Sequence, residues 1–294
     1  MGEVFYDLTK PQPGMNYRWV QPPQIAYFVT TVDSHGNVNS TPATLGTCVG
    51  ADMTPESCGN YFLTLALGSV DLDRIPARDG HRNLQEVPEC VISYIGRHLI
   101  RQSQVACCPL PRGISEIDVA GLRELPSKHV RPPGIRECGV NIEAKVIHSL
   151  PLGDFYQFYI LRAVGVSVDE ELLKRDAESR LHAGVWELDP VYETSILAED
   201  GLPPRLYYSR LDKKSVARMP PGIGPQREWV GTFAQWMEDE VTRGAISQEQ
   251  CNGLIALEAD WLANPDPKTN EAAKRKLTEF LSGLVGKQGL GAGD

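Results

Sequence analysis

Up to residue 168 the chain is a succession of short runs rich in β-branched and aromatic side chains, each closed by turn-forming residues. That pattern restricts the fold more than any other feature. Residues 25–32, Ile-Ala-Tyr-Phe-Val-Thr-Thr-Val, form the first β-rich run. Asp33-Ser-His-Gly-Asn37 follows as a turn, because Gly36 and Asn37 tolerate positive φ at least cost, and a second strand starts at Val38. Further strands are predicted over residues 60–67 and 90–95. Residues 140–147 alternate apolar and polar with a period of two, so one face should be buried, and 155–168 read as a long strand that Gly165 is placed to kink. A short helix over 81–86 should end at Val87-Pro88. Residues 96–137 read as loops and short helices, including a helical turn over 115–120. Strands joined by hairpin turns, rather than alternating with helices, point to a barrel or sandwich.

The character changes near residue 220. Residues 219–225 are a proline and glycine linker, and beyond them Trp229, Phe233, Trp236, Met237 and Val241 recur at helical spacing. Ser247 and Gln250 have capping-box spacing ahead of Leu254, Ile255, Leu257, Trp261 and Leu262. A third amphipathic helix opens near Thr269 and carries Leu277, Phe280, Leu281 and Leu284, with Lys274, Arg275 and Lys276 on a solvated face. Three such helices enclose too little core to stand alone, so they should pack on the barrel or on a partner subunit. The expected organisation is an extended arm over 1–24, a barrel domain over 25–218, a helical extension over 225–285 and a disordered tail over 286–294.

A net charge of −9 and a pI near 5.3 argue against a nucleic-acid partner. No apolar run has the length to span a bilayer, and Met1-Gly-Glu-Val-Phe-Tyr-Asp carries acid where a signal peptide carries base; a cytoplasmic protein without membrane contact is the expectation. Seven cysteines without a Cys-x-x-Cys pair, and six scattered histidines, favour neither a metal site nor a disulfide framework. Most of these cysteines read as small buried hydrophobes.

The chain holds no Gly-x-Ser-x-Gly elbow, phosphate-binding Walker loop, zinc helix or dinucleotide fingerprint. Three segments carry more. Residues 39–47, rich in small hydroxyl and amide side chains around Pro42, are either a polar surface loop or a wall that presents hydroxyls and backbone N–H groups to a ligand. Arg78-Asp-Gly-His-Arg-Asn83, preceded by Ser69 and Arg74, has the parts of an anion site or of a salt-bridged surface turn. Residues 118–143 are a long connection that includes Ala120-Gly121-Leu122, Pro126-Ser127-Lys128, Pro132-Pro133, Glu137, Val140 and Glu143.

In this order and spacing the three segments resemble the flavin reductase-like family, whose members have an FMN-binding split barrel of the flavin reductase and flavoredoxin type. The resemblance runs from about Pro23 to Val168. It implies a mainly β fold with α additions, a Greek-key split β-barrel to which the C-terminal helices are an extension. It places Asn39, Thr41, Pro42, Ala43 and Thr44 along the isoalloxazine ring and ribityl chain, with hydroxyl or backbone donors as far as Thr47 near the ring. It places Arg78, Asp79, Arg82 and Asn83 at the flavin phosphate, with Ser69 and Arg74 as looser matches. Gly80 stands where the family has threonine, and Thr44 where serine is usual. His129, beside Lys128, is the candidate for contact with a nicotinamide or organic substrate, or else a structural histidine held by a partner group. The implied activity is FMN-dependent reduction driven by NADH or NADPH, which supplies reduced flavin or electrons to a flavin-dependent oxygenase or redox protein. The alternatives are an FMN enzyme acting directly on an organic substrate, and a flavin-carrying electron-transfer protein without turnover. A homodimer is implied as well.

Overall fold

The computed structural model describes residues 5, 7, 9–10, 24–51, 61–68, 78–153, 155–173, 190–196, 205–209, 216–218, 232–267 and 270–288. The strands are β1 (Gln24–Ile25), β2 (Tyr27–Val32), β3 (Val38–Ala43), β4 (Cys48–Ala51), β5 (Tyr61–Gly68), β6 (Glu89–Tyr94), β7 (Glu124–Leu125), β8 (Gly134–Ile135), β9 (Val140–Leu152), β10 (Tyr156–Val168), β11 (Tyr192–Ile196), β12 (Arg205–Ser209) and β13 (Val216–Arg218). The helices are α1 (Asp79–Glu86), α2 (Ile100–Val105), α3 (Glu116–Val119), α4 (Glu170–Leu173), α5 (Phe233–Thr242), α6 (Gln248–Ala263) and α7 (Glu271–Gln288).

Seven strands form one antiparallel sheet in the order β3-β2-β6-β9-β10-β5-β4. Its two edge strands, β3 and β4, are consecutive in the chain, joined only by residues 44–47. Five Cα steps from Ala43 to Cys48 reach at most about 18 Å. In a flat sheet, six inter-strand spacings would set those edges about 29 Å apart. The sheet must therefore roll until its edges approach, and residues 44–47 bridge the opening. They lie along β5, with Ala66 N–H donating to Leu45 O at 2.7 Å and Thr64 N–H to Thr47 O at 2.8 Å.

Tyr27, Val29, Leu63, Leu65, Ile92, Ile142, Ala144 and Leu161 fill the inside of the roll, and Leu84 of α1 packs among them. The other face of β2 and β6 is covered by a second core that joins Ala26 and Phe28 to Ile95, Leu99, Ile117, Leu122 and Ile135. With both faces covered, β2 is buried along its whole length, including Thr30 and Thr31. The predicted kink at Gly165 is present as a shift in register against β9. The hairpin of β7 and β8 adds a small sheet within the stretch read as loops and short helices. A further sheet has the order β1-β11-β12-β13, so Gln24, the last residue of the expected arm, and Ile25, the first of the expected barrel domain, are paired strand residues. Most of that arm lies outside the described residues.

The C-terminal helices begin on two capping boxes, Thr232 with Gln235 and Ser247 with Gln250. Phe233, Trp236, Met237, Trp261, Leu277 and Leu281 share a third core with Val105, Cys108, Ile114 and Val119 from the α2–α3 region of the same chain. Trp261 Nε1–H donates to Arg112 O at 2.5 Å. Two expectations are corrected. α7 runs to Gln288, into the stretch read as a disordered tail, because Leu284 and Val285 are buried and carry the helix past Gly286. Lys274 is not simply solvated: its Nζ lies 3.2 Å from Asn37 Oδ1 and over the Trp261 ring. Among the described residues no helix is long and apolar enough to cross a membrane.

Removing the residues after Gly224 should strip the cover from Val105, Cys108, Ile114 and Val119. The expected result is a shortened chain that melts at least ~5 °C lower and binds a hydrophobic dye, since even ~1 kcal/mol moves the midpoint by a few degrees. An unchanged melt would overturn the shared core.

Candidate functional site

The hairpin β2–β3 sets the geometry of the site. Its register pairs Thr31 with Asn39, Val29 with Thr41 and Tyr27 with Ala43. Directly paired residues share a face, so Asn39, Thr41 and Ala43 line the same side as the barrel core, while Ser40 and Pro42 face the outer one. α1 closes over the inner side. A Cβ added to Gly80 would stand 3.4 Å from Asn39 Oδ1, 3.6 Å from Leu67 and 3.9 Å from Thr41 Oγ1. The structure thus brings the 39–44 and 78–83 segments together. The space at Gly80 would accept a small side chain without displacing its neighbours.

A buried polar cluster joins the two segments. Asn83 Nδ2 donates to Thr31 Oγ1 at 3.2 Å, and Thr31 Oγ1 and Thr41 Oγ1 approach Asn39 Oδ1 at 3.5 and 3.3 Å. Asn39 Nδ2 donates to Glu116 Oε1 at 2.7 Å, and Ser40 N–H to Glu116 Oε2 at 2.7 Å. Asn83 Oδ1 is buried and has no hydrogen-bond partner among the described residues. An orphan acceptor of this kind calls for a donor from beyond the described residues, from water or from a ligand.

Around the start of α1 the electrostatics are mixed. Arg78 occupies the N-cap position and supplies no side-chain cap; His81 N–H donates to Arg78 O at 3.0 Å, while the amides of Asp79 and Gly80 have neither an acceptor within the helix nor that cap. Burial disfavours the charge on Arg78, whose electrostatic neighbours are Cys107 and Tyr156. Burial pushes the Asp79 carboxyl up to about 6, against the pull of Arg112 and Arg82. Burial pushes the Glu116 carboxyl up to about 8; the Ser40 N–H and the Asn39 amide oppose this, and Asp79 adds to it. Deeper in the barrel, His81 Nδ1 and Tyr159 OH lie 2.5 Å apart, and burial lowers the His81 pKa.

The remaining candidates are placed as follows. Thr44 and Thr47 lie on the bridge between the sheet edges, and Thr47 N–H donates to Thr64 Oγ1 at 3.2 Å. Arg82 acts electrostatically on Asp79 and His81. Ser69 and Arg74 lie outside the described residues. His129 sits elsewhere: its N–H and that of Lys128 donate to Glu143 Oε2 and Oε1 at 2.6 and 2.9 Å, and its ring lies against Gly165. Glu143 alternates with Ile142 and Ala144 of the barrel core, so this loop covers the outer face, and none of its described contacts reaches the Asn39 cluster. Glu116 was missed as a site residue. Its signal was an acid set between Ile114 and Ile117, where an amphipathic turn would place an apolar residue.

A family profile described as a flavin reductase like domain matches residues 22–186, more than half of the chain. The chain belongs to the flavin reductase-like family. Its fold is the split barrel of that family, with helices added at the C-terminal end. An uncharacterized protein of Halalkalibacterium halodurans is 32% identical over 168 residues, covering 54% of this chain and 76% of that protein. Nitrilotriacetate monooxygenase component B from Bacillus cereus superposes with a TM-score of 0.54 at 22% identity, over 65% of this chain and 92% of the other. The 2-nitrobenzoate 2-nitroreductase NbaA of Pseudomonas fluorescens gives a TM-score of 0.54 at 17% identity, over 76% of this chain and all of the other.

The raised carboxyls make stability depend on pH. A carboxyl whose pKa is higher in the folded state binds more protons there, so its contribution to stability falls as pH rises from the unfolded to the folded value. For Asp79 that window runs from 3.8 to about 6. Asp79→Asn should flatten the fall in melting temperature between pH 4 and 6 in this family member, read from thermal melts of the apoprotein. Melts that keep the wild-type slope would contradict the burial of Asp79.

Proposed function

We propose that this chain is an FMN-dependent oxidoreductase that takes electrons from NADH or NADPH and delivers them as reduced flavin to a partner. The observation that carries the reading is the orphan acceptor Asn83 Oδ1, buried next to an uncapped helix start in a member of the flavin reductase-like family. The residues fit a flavin phosphate and its polar chain. The Asp79 and Gly80 amides at the start of α1 and the Arg78 guanidinium suit an anion, and the helix dipole adds to them. Asn83 Oδ1 and the half-buried Thr41 hydroxyl suit hydroxyl or N–H donors of the ligand. Arg82 and Arg112 offset the Asp79 charge beside the anion. FMN supplies hydride and one-electron chemistry when bound, while the protein orients it and decides what reaches it.

The fold neighbours named above set out the readings to be separated. A monooxygenase component B suggests flavin or electrons handed onward; a nitroreductase suggests an organic substrate reduced in place. A homodimer, and a flavin-dependent oxygenase or redox protein as recipient, belong to the first reading.

Purified protein should bind added FMN and quench its fluorescence, and the bound flavin should bleach anaerobically with NADH or NADPH. Failure to bind any flavin would sink the proposal. No bleaching by either nucleotide, with rapid reduction by a redox protein instead, would favour a carrier. Thr44→Trp, in the bridge between the sheet edges, should weaken FMN binding at least ~100-fold, because overfilling a packed wall costs about 1–3 kcal/mol or more and also blocks the ligand. An unchanged dissociation constant would return residues 44–47 to the status of a surface loop.

A further inference from the structure

The hydrogen-bonding sense of the Asn39 cluster is set from one end. An asparagine side chain has a donor end and an acceptor end, whereas an ionised carboxylate only accepts. Glu116 Oε1 therefore admits only the Nδ2 end of Asn39, at 2.7 Å, while Oε2 is held by Ser40 N–H at 2.7 Å. Asn39 Oδ1 is turned toward Thr41 and Thr31 and accepts from both hydroxyls. Thr31 keeps a lone pair that takes Asn83 Nδ2, which leaves Asn83 Oδ1 as the buried, unpartnered acceptor. Thr41, its hydrogen committed to Asn39, likewise offers lone pairs.

We propose that Glu116 is a positioning residue that sets the hydrogen-bonding polarity of the flavin site through Asn39, so that with its carboxylate ionised Thr41 and Asn83 meet the ligand as acceptors. The proposal rests on the flavin-binding reading and extends it to a residue that acts through another.

A proton on Glu116 Oε1 reverses the set. The neutral carboxyl donates to Asn39 Oδ1, the amide turns over, and its Nδ2 then donates to the threonine hydroxyls. Thr41 in turn becomes a donor toward the ligand. The surroundings bring this exchange into the neutral to mildly alkaline range. Burial raises the carboxyl, Asp79 on α1 adds to the effect, and among the described residues Cys108, just after α2, also interacts with Glu116. β3 brings no titratable side chain. On α7, Lys274 acts on Asp118, Asp33 and Glu124.

Glu116→Gln separates positioning from mere support. Its amide can donate to Asn39 Oδ1 and accept from Ser40 N–H, which reproduces the neutral carboxyl at nearly constant size. Two readouts are taken between pH 6 and 9.5: the Asn39 side-chain amide resonances in ¹⁵N-labelled apoprotein, assigned through Asn39→Asp, and the FMN dissociation constant from fluorescence quenching. In the wild type both should move through one titration near pH 8. The dissociation constant should change about tenfold across it, the worth of one hydrogen bond. Glu116→Gln should show no titration and should hold the wild-type low-pH dissociation constant throughout. A Glu116→Gln protein that keeps the wild-type pH profile, or wild-type Asn39 resonances that do not titrate, would overturn the proposal. A wild type that binds no FMN at any pH would sink the flavin reading, and the Asn39 resonances of the apoprotein would still decide the role of Glu116.

Discussion

The buried Glu116 carboxyl ties α3 to the edge strand β3 through both of its oxygens. A carboxylate removed from water costs several kcal/mol unless hydrogen bonds replace its hydration. Both of its oxygens are met at 2.7 Å by groups of β3, one a side chain and one a backbone amide. The arrangement also serves the strand. β3 is an edge of the seven-stranded sheet, and an edge exposes alternate N–H groups to any passing strand. Ser40 N–H belongs to the outward set and is occupied by Glu116. Two residues along, the outward position is Pro42, which has no N–H to offer. The edge is therefore closed without a neighbouring strand, and the inward face of β3 remains available to a ligand.

α3 holds Glu116 in place although it has only four residues. Ile117 packs into the core on the outer face of the sheet, and Val119 packs into the core of the C-terminal helices. Glu116 is left pointing at β3. A single turn could not hold such an arrangement by its own propensity, because short helices are marginal in water. The C-terminal helices supply the remainder. Trp261, fully buried, meets the Gly113 turn just ahead of α3 and bonds to Arg112 O at 2.5 Å, while Arg112 also pairs with Glu86 at the end of α1 at 2.6 Å. The helices added beyond the barrel thus bear on the turn ahead of α3 and, through Arg112, on the end of α1.

How much of this was legible in the sequence follows the distance between interacting groups. The β2–β3 hairpin, the Ser247 capping box, the stop at Val87-Pro88 and the kink at Gly165 depend on residues a few positions apart, and all can be read from local chemistry. The proximity of Asn39 to the start of α1 was legible only through family resemblance, because the register and the roll of the sheet create it. Glu116 lies 77 positions from Asn39, and its acid character pointed to solvent rather than to an amide. Lys274 was misread for the same reason: its partner Asn37 is 237 positions away, and helical periodicity assigns a lysine to water unless a distant group is known to meet it.

The motif that runs from Ala120 to Glu143 shows why order along the chain does not define one site. On β9, Val140, Ile142 and Ala144 face the barrel core, so Asn141 and Glu143 between them face outward. Asn141 Oδ1 accepts from Ile135 N–H and from Ser93 Oγ, at 2.8 and 2.6 Å, and Glu143 accepts from the amides of Lys128 and His129. These bonds fold the 126–135 stretch back onto the outer face, where the His129 ring packs so closely on Gly165 that an added Cβ would stand 3.1 Å from it. Glu116 lies just ahead of that stretch and turns the other way, toward β3. Within about thirty residues, two buried glutamates therefore do different work. One fastens a loop through backbone amides and takes no part in the Asn39 cluster, while the other fixes which end of an asparagine faces the inner side of the barrel.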